Sequence, residues 1–261
     1  MARAITQDPG TLWFHCNICD KPSLTDVRCL TRDVETCQNC HSTARARAII
    51  RVLSTELFGD NFLLPEFPTH REIRGLGMTD WKGAAVKLAE KFEYRNTYYH
   101  KEPRLDISAA SIPSELMTND FVISSDVFEH VAPPVSRAFE NVWKMLKPGG
   151  VLVLTVPYGT HAETIEHFPE LNEFSLLKKD GSFVLRNKTK TGVVQEFSDL
   201  VFHGGPGSTL EMRVFSESAV IQHLKDAGFA DIKVHRTADL VHGIWWPEPW
   251  SFPISARKPA A

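Results

Sequence analysis

The chain has 261 residues, 43% of them hydrophobic and 23% charged, which suits one main globular domain plus a small one. Twenty-nine Lys and Arg stand against 32 Asp and Glu, a net charge of −3, so the overall field argues against a nucleic-acid partner and leaves only a local patch. The best apolar run, Val151 to Val156, falls far short of the roughly 18–20 residues of a membrane span. The stretch Met1–Gly10 has no apolar core of an export signal, so the expectation is a cytoplasmic protein with no membrane contact.

Cys16-Asn-Ile-Cys19 and Cys37-Gln-Asn-Cys40 are two pairs with 17 residues between them. Each pair presents two sulfurs from one tight turn, and two such turns make a closed tetrahedral cage for a structural Zn2+. Iron in the same cage is the chemical alternative. The run Cys37-Gln-Asn-Cys40-His41 also spells a covalent haem attachment, which needs export. Cys29 reads as a small buried residue, and His15 and His41 as spare ligands that four thiolates leave unused. Residues 1–42 hold too few large apolar side chains for a core, so metal has to supply folding energy there. These features set out a zinc-binding module with a lid helix over residues 1–60.

Ser42 reads as the N-cap of a helix over Ala44–Phe58, with Ala48, Val52 and Leu57 or Phe58 on its apolar side. Arg45, Arg47 and Arg51 then form a solvated basic face, a contact to an anionic group being the alternative. From about Thr69 short apolar runs alternate with helix-period segments, the pattern of a parallel α/β sheet. Glu72-Ile73-Arg74 is a short first strand, Gly75-Leu76-Gly77 a turn, and Asp80 the cap of a helix carrying Trp81, Ala85, Leu88 and Phe92. Thr97–Tyr99 and Phe121–Ile123 follow as strands. Pro133-Pro134 opens a helix with Phe139, Val142 and Leu146 on one face, closed by Lys147-Pro-Gly-Gly150. Val151–Val156 is a buried strand. A helix at about Ser216–Ala227 and strands at Asp231–His235 and Phe252–Arg257 complete the pattern.

The stretch Asp120-Phe-Val-Ile-Ser-Ser-Asp-Val-Phe-Glu-His-Val131, one helix, and Leu146-Lys-Pro-Gly-Gly-Val-Leu-Val-Leu-Thr-Val-Pro157 come in that order. Together they resemble the class I S-adenosylmethionine-dependent methyltransferases of type 11, over about residues 70–257. The resemblance implies a Rossmann-like α/β fold at residues 69–261, with a seven-stranded sheet whose last strand is antiparallel. It implies S-adenosylmethionine as cofactor, over the carboxyl ends of the strands. Gly75, Gly77 and Asp80 fall at the family's glycine turn, from which this chain departs: Arg74 stands at a strand position and the third glycine is missing. Glu102 is placed for the ribose, Asp106 for the adenine, and Ser125 and Asp126 beside the sulfonium. Glu129 and His130 orient that loop.

The segment at about 157–213 is longer than a sheet connection and is expected to cover the substrate. It holds His161, His167, Asn172 and the run Val201–Gly207, where His203 is the first choice for a general base. Tyr158 and His130 are the other catalytic candidates. Trp245, Trp246 and Trp250 read as core packing over the sheet edge, or else as an apolar wall for the substrate. The expected activity is methyl transfer to a small-molecule, glycan or natural-product acceptor. Non-methylating use of S-adenosylmethionine, and a zinc ribbon binding RNA or protein on a methyltransferase fold, are the alternatives.

Overall fold

A computed structural model describes residues 10–112, 115–179, 181–205 and 207–260. The start of the expected zinc module and Pro206 of the glycine-rich run lie outside the described residues. The chain begins with an antiparallel hairpin, β1 (Thr11–Cys16) and β2 (Lys21–Asp26), followed by α1 (Ala44–Phe58). The cap of α1 is Thr43, whose hydroxyl accepts from the Ala46 N–H. Ser42, the expected cap, instead turns toward the cysteines. Gly59 ends the helix in the left-handed conformation that glycine adopts without strain.

The central elements are β3 (His70–Met78), α2 (Lys82–Lys91), β4 (Phe92–Thr97), β5 (Asn119–Ser125), α3 (Ser136–Met145) and β6 (Leu146–Thr155). The long insertion contributes β7 (Tyr158–Gly159), β8 (Ile165–Glu166), β9 (Glu173–Lys179), β10 (Ser182–Lys188), β11 (Val194–Phe197), β12 (Phe202–His203) and β13 (Thr209–Leu210). β14 (Arg213–Ser216), α4 (Glu217–Asp226), β15 (Ala230–Val234) and β16 (Ile254–Arg257) close the chain. The main sheet has the order β15-β16-β6-β5-β3-β4, parallel from β6 to β4, with β16 antiparallel to both of its neighbours.

Alternation along the central strands divides the core in two. Val122, Leu152 and Leu154 face α3 and α4, while Phe121, Ile123, Val151 and Val153 face α1 and α2. All seven are at most 2% exposed, and each contributes about 1.5–3 kcal/mol by leaving water. Cys16, Ile18 and Cys37 belong to the second of these layers, so the cysteine segment is packed onto the sheet through α1.

Four expectations are corrected. The sheet has six strands among the described residues, against seven. Beyond the end of β4, Tyr98 and Arg104 form an isolated parallel bridge. Pro103 has no N–H to extend it, and the Asp106 carboxylate takes the Ser108 N–H into a local turn. The Gly75-Leu76-Gly77 segment is strand, inside β3, and the chain turns only at Thr79, which has φ 60°. A Cβ on Gly75 would fall 2.1 Å from the Phe121 ring, so the glycine serves sheet packing. Asp80 does not cap α2; Trp81 occupies that position with no side-chain bond. Cys29 is exposed, not buried.

Candidate functional site

The two Cys-x-x-Cys turns are alike. The Asp20 N–H donates to the Cys16 carbonyl and the His41 N–H to that of Cys37, both at 2.9 Å. Asp20 and His41 have φ of 56° and 60°, the left-handed bend such a turn needs. The four sulfurs gather at one point, with 3.7 Å from Cys16 Sγ to Cys40 Sγ and from Cys19 Sγ to Cys37 Sγ. A tetrahedron with Zn–S bonds of about 2.3 Å has edges of about 3.8 Å, which the two measured edges match, so the donor set and its spacing suit zinc. Neither His15 nor His41 joins this cluster. Behind it the Ser42 hydroxyl lies 3.3 Å from Cys16 Sγ and accepts from Arg47 Nη1 at 3.0 Å.

Arg47 is fully buried, which overturns its reading as a solvated residue. Its guanidinium also donates to the Ser42 carbonyl, to Thr36 Oγ1 and to the Gly243 carbonyl, and it stacks on Phe14. Gly243 has φ 67°, and a Cβ there would strike the Phe14 ring. The cysteine module is thereby fastened to the C-terminal part of the chain.

The same module reaches the carboxyl ends of the sheet strands. Arg32 makes a two-pronged pair with Asp126, Nη1 to Oδ2 at 2.9 Å and Nη2 to Oδ1 at 2.5 Å. Arg45 bonds the Ser125 hydroxyl and lies 3.3 Å from Asp126. Burial pushes the Asp126 carboxyl up, but the Arg32 charge and hydrogen bonds outweigh it and hold the group below the usual range. Thr155 Oγ1 completes its cradle.

Two cavities meet at Asp126. The first, about 400 Å³, lies between α1, the end of β3 and the end of β5; Arg45, Asp80, Trp81, Ser125, His130 and His203 are among its lining residues. The second, about 520 Å³, is bounded by Arg32, Asp126, His203, Glu211, Trp246 and Trp250. Asp80 lies in the floor of the first. Its Oδ2 accepts from the Tyr94 hydroxyl, while its Oδ1 is buried with no partner. Burial raises the Asp80 carboxyl to about 7.

His203 stands 3.2 Å from Glu211 Oε2, and His167 bonds the other oxygen of that carboxylate at 2.9 Å. His130 Nδ1 donates to the Leu210 carbonyl at 2.9 Å, and burial lowers its pKa, keeping the ring neutral. Glu129 is fully buried, and its carboxyl is pushed well above the usual range by burial and by the charge of Asp126.

The structure therefore brings together Asp80, Ser125, Asp126, His130 and His203. It leaves the other candidates outside both cavities. Gly75 and Gly77 lie within β3; the space a Cβ on Gly77 would take holds the Tyr94 hydroxyl and Asp80. Glu102 is exposed and accepts from the Arg104 N–H, and Asp106 is occupied by Ser108. Tyr158 is buried, its hydroxyl accepting from the Phe252 N–H. Arg32 and Glu211 were not foreseen. Arg32 stands in the loop between the cysteine pairs, a position whose reach depends on how the metal turns fix that loop.

Residues 79–154 match the methyltransferase domain family. No curated protein matches the chain. Among solved structures, the chain is similar to an S-adenosylmethionine-dependent methyltransferase from Clostridium acetobutylicum ATCC 824, with 15% identity, 73% of this chain and 85% of that one covered, and a TM-score of 0.43. It is similar to CalS10, an amino pentose methyltransferase from Micromonospora echinaspora, with 16% identity, coverage of 82% and 90%, and a TM-score of 0.43. It is also similar to the sugar N-methyltransferase KedS8 from Streptoalloteichus sp ATCC 53650, with 12% identity, coverage of 83% and 87%, and a TM-score of 0.47. No helix among the described residues is long and apolar enough to cross a membrane. The matched residues run from the end of β3 to the end of β6, the segment whose strand ends build the first cavity.

Proposed function

We propose that the chain transfers a methyl group from S-adenosylmethionine to a small polyhydroxylated acceptor, such as a sugar or a glycan end. The observation that carries the reading is the pair of cavities joined at Asp126 and His203, over the strand ends of a methyltransferase-family segment. The first cavity suits the cofactor. It offers one buried, unpartnered carboxylate oxygen on Asp80, which a cationic amino group would satisfy. Its wall of Ile49, Ile50, Ala84 and Leu88 is apolar. The bound cofactor supplies an electrophilic methyl group on a sulfonium.

The second cavity suits the acceptor. Trp246 and Trp250 offer faces on which a sugar ring stacks, and Glu211, Glu248 and Asp33 accept from hydroxyls. His203, held by Glu211, is placed to take the proton an attacking hydroxyl or amine loses. Transfer of this kind is dominated by alignment, and the arginine-braced Asp126 gives the junction a fixed wall. The four cysteines hold a structural Zn2+ whose task is to place Arg32 and Arg45.

Calorimetric titration with S-adenosylmethionine and S-adenosylhomocysteine tests the cofactor. Binding in the micromolar range, about 8 kcal/mol, is expected, with at least a tenfold loss in Asp80→Asn. No heat with either compound overturns the reading. Mass analysis of the spent cofactor tests the chemistry: S-adenosylhomocysteine supports methyl transfer, and methylthioadenosine overturns it.

A further inference from the structure

Three side chains at the junction of the cavities have unused ligand capacity. Glu129 is fully buried, yet neither of its carboxylate oxygens has a hydrogen-bond partner. His130 Nε2 stands 3.5 Å from Glu129 Oε1. That nitrogen cannot donate in the neutral ring, because His130 Nδ1 faces the Leu210 carbonyl at 2.9 Å and a carbonyl only accepts. The proton is therefore on Nδ1, and the Nε2 lone pair is free beside the Glu129 carboxyl. His203 also has ligand capacity to spare: its Nε2 lies 3.2 Å from Glu211 Oε2, and a proton on Nε2 facing that carboxylate leaves Nδ1 with a lone pair. Metal-binding histidines are commonly held so, one ring nitrogen on a carbonyl or carboxylate and the other on the ion.

The ligand atoms of Glu129, His130 and His203 all lie within 4.8 Å of one another. We propose that these three residues bind a first-row divalent cation, Mn2+ or Fe2+, at the junction of the two cavities. Two imidazoles and one carboxylate with open positions form a donor set suited to such ions. Around bonds of about 2.1 Å, donor atoms sit roughly 3–3.4 Å apart, so the widest separations have to shorten by up to about 1.5 Å. His203 is the member able to move. It is half-exposed and is followed by Gly204 and Gly205, with φ of 83° and 107°. His130 borders the first cavity and His203 both, so an open position on the ion faces the acceptor. There the ion would replace His203, whose lone pair it occupies, in the activation of the acceptor: it would polarise an acceptor oxygen and lower the cost of its lost proton. Cation binding stands without the methyl-transfer reading; this use of the cation rests on it.

The test is titration of the zinc-loaded full chain with Mn2+, followed by electron paramagnetic resonance and calorimetry. Mn2+ is a poor match for four thiolates, so the cysteine site does not compete. One Mn2+ per chain is expected, with at least tenfold weaker binding in Glu129→Gln and in His203→Ala and no change in His161→Ala. His203 is half-exposed on a loop, so its variant folds even where a buried substitution does not. No bound Mn2+ in the native chain, or equal binding by His203→Ala, overturns the proposal. S-adenosylmethionine is titrated into the same samples. Cofactor binding without Mn2+ defeats this site alone, and Mn2+ binding without cofactor defeats the methyl-transfer reading alone.

Discussion

The cysteine module and the 157–213 insertion both border the cavity junction, and each is anchored by a fully buried arginine, Arg47 in one and Arg213 at the end of the other. Their surroundings differ. Arg213 has a carboxylate, Glu166, at 2.7 Å, and it donates to the Phe128 and Val131 carbonyls that flank Glu129 and His130. Arg47 donates only to hydroxyls and carbonyls. Its counter-charge has to come from the thiolates beyond Ser42, and four thiolates around Zn2+ carry a net charge of −2. The insertion thus closes its own electrostatic balance, whereas the module has only its sulfurs for counter-charge, and a bound Zn2+ would hold them as thiolates. The packing follows the same division. Phe14, Cys16, Ile18 and Cys37 join a sheet-facing core, while every residue of β9 is exposed and the insertion's cluster centres on Phe168, Leu185 and Met212.

The largest way to break the comparison is to remove the metal. Chelation, or Cys37→Ser, is expected to cost on the order of 5 kcal/mol, seen as a fall in Tm of more than 10 °C with loss of bound zinc. Retention of the native Tm without metal would refute the zinc assignment. Next in size, Arg47→Met in metal-loaded protein should cost about 3–5 kcal/mol, and clearly less once metal is stripped, because the charge it strands is then gone. Arg213→Met should cost a similar amount with or without metal. Denaturant unfolding of the four combinations measures both, and equal coupling to metal at the two arginines would erase the difference drawn here.

Asp80, in the floor beneath both additions, gives a pH handle. Its folded value of about 7 lies above the ordinary 3.8, so the folded state keeps a proton that the unfolded chain has released. Stability from this group is therefore present below pH 4 and lost as pH rises toward 7, by up to about 4 kcal/mol. Asp80→Asn should flatten that slope while keeping an acceptor for the Tyr94 hydroxyl; an unchanged slope between pH 4 and 7 would place the titration elsewhere. The smallest expected effect is at β9. Phe174→Ser and Leu177→Ser should each change stability by no more than about 0.5 kcal/mol, since both side chains are exposed.

Much of this could be read from the chain alone, and the part that could not shares one cause. The cysteine cage follows from local spacing, and the span Ala44–Phe58 of α1 from its apolar period, although its cap is Thr43 and not Ser42. The central strands follow from unbroken apolar runs. Asp126, His130 and His203 were reachable because they belong to one motif or to one unusual glycine-rich loop. Gly75 and Gly77 misled because a glycine pair marks a turn only when nothing fills the missing side chains, and here Phe121 and Tyr94 do, from neighbouring strands. Asp106 misled for a local reason: an acid two residues before a serine closes a turn on itself. Arg32, 94 residues from Asp126 in sequence, reaches it only through the folded position of the loop between the cysteine pairs.

The bond from Arg47 to the Gly243 carbonyl spans 196 residues. A ribosome adding about 5–20 residues per second needs roughly 10–40 s to cover that interval. During that time the amino-terminal cysteines are outside the exit tunnel, able to capture an ion, while the last acceptor for their arginine has not been made. An ion bound by the proposed cage would thus be captured early in the life of the chain, and the sealing of Arg47 comes late. A truncation before Gly243 would leave a loaded but unlatched module, a species that proteases in the cell could recognise.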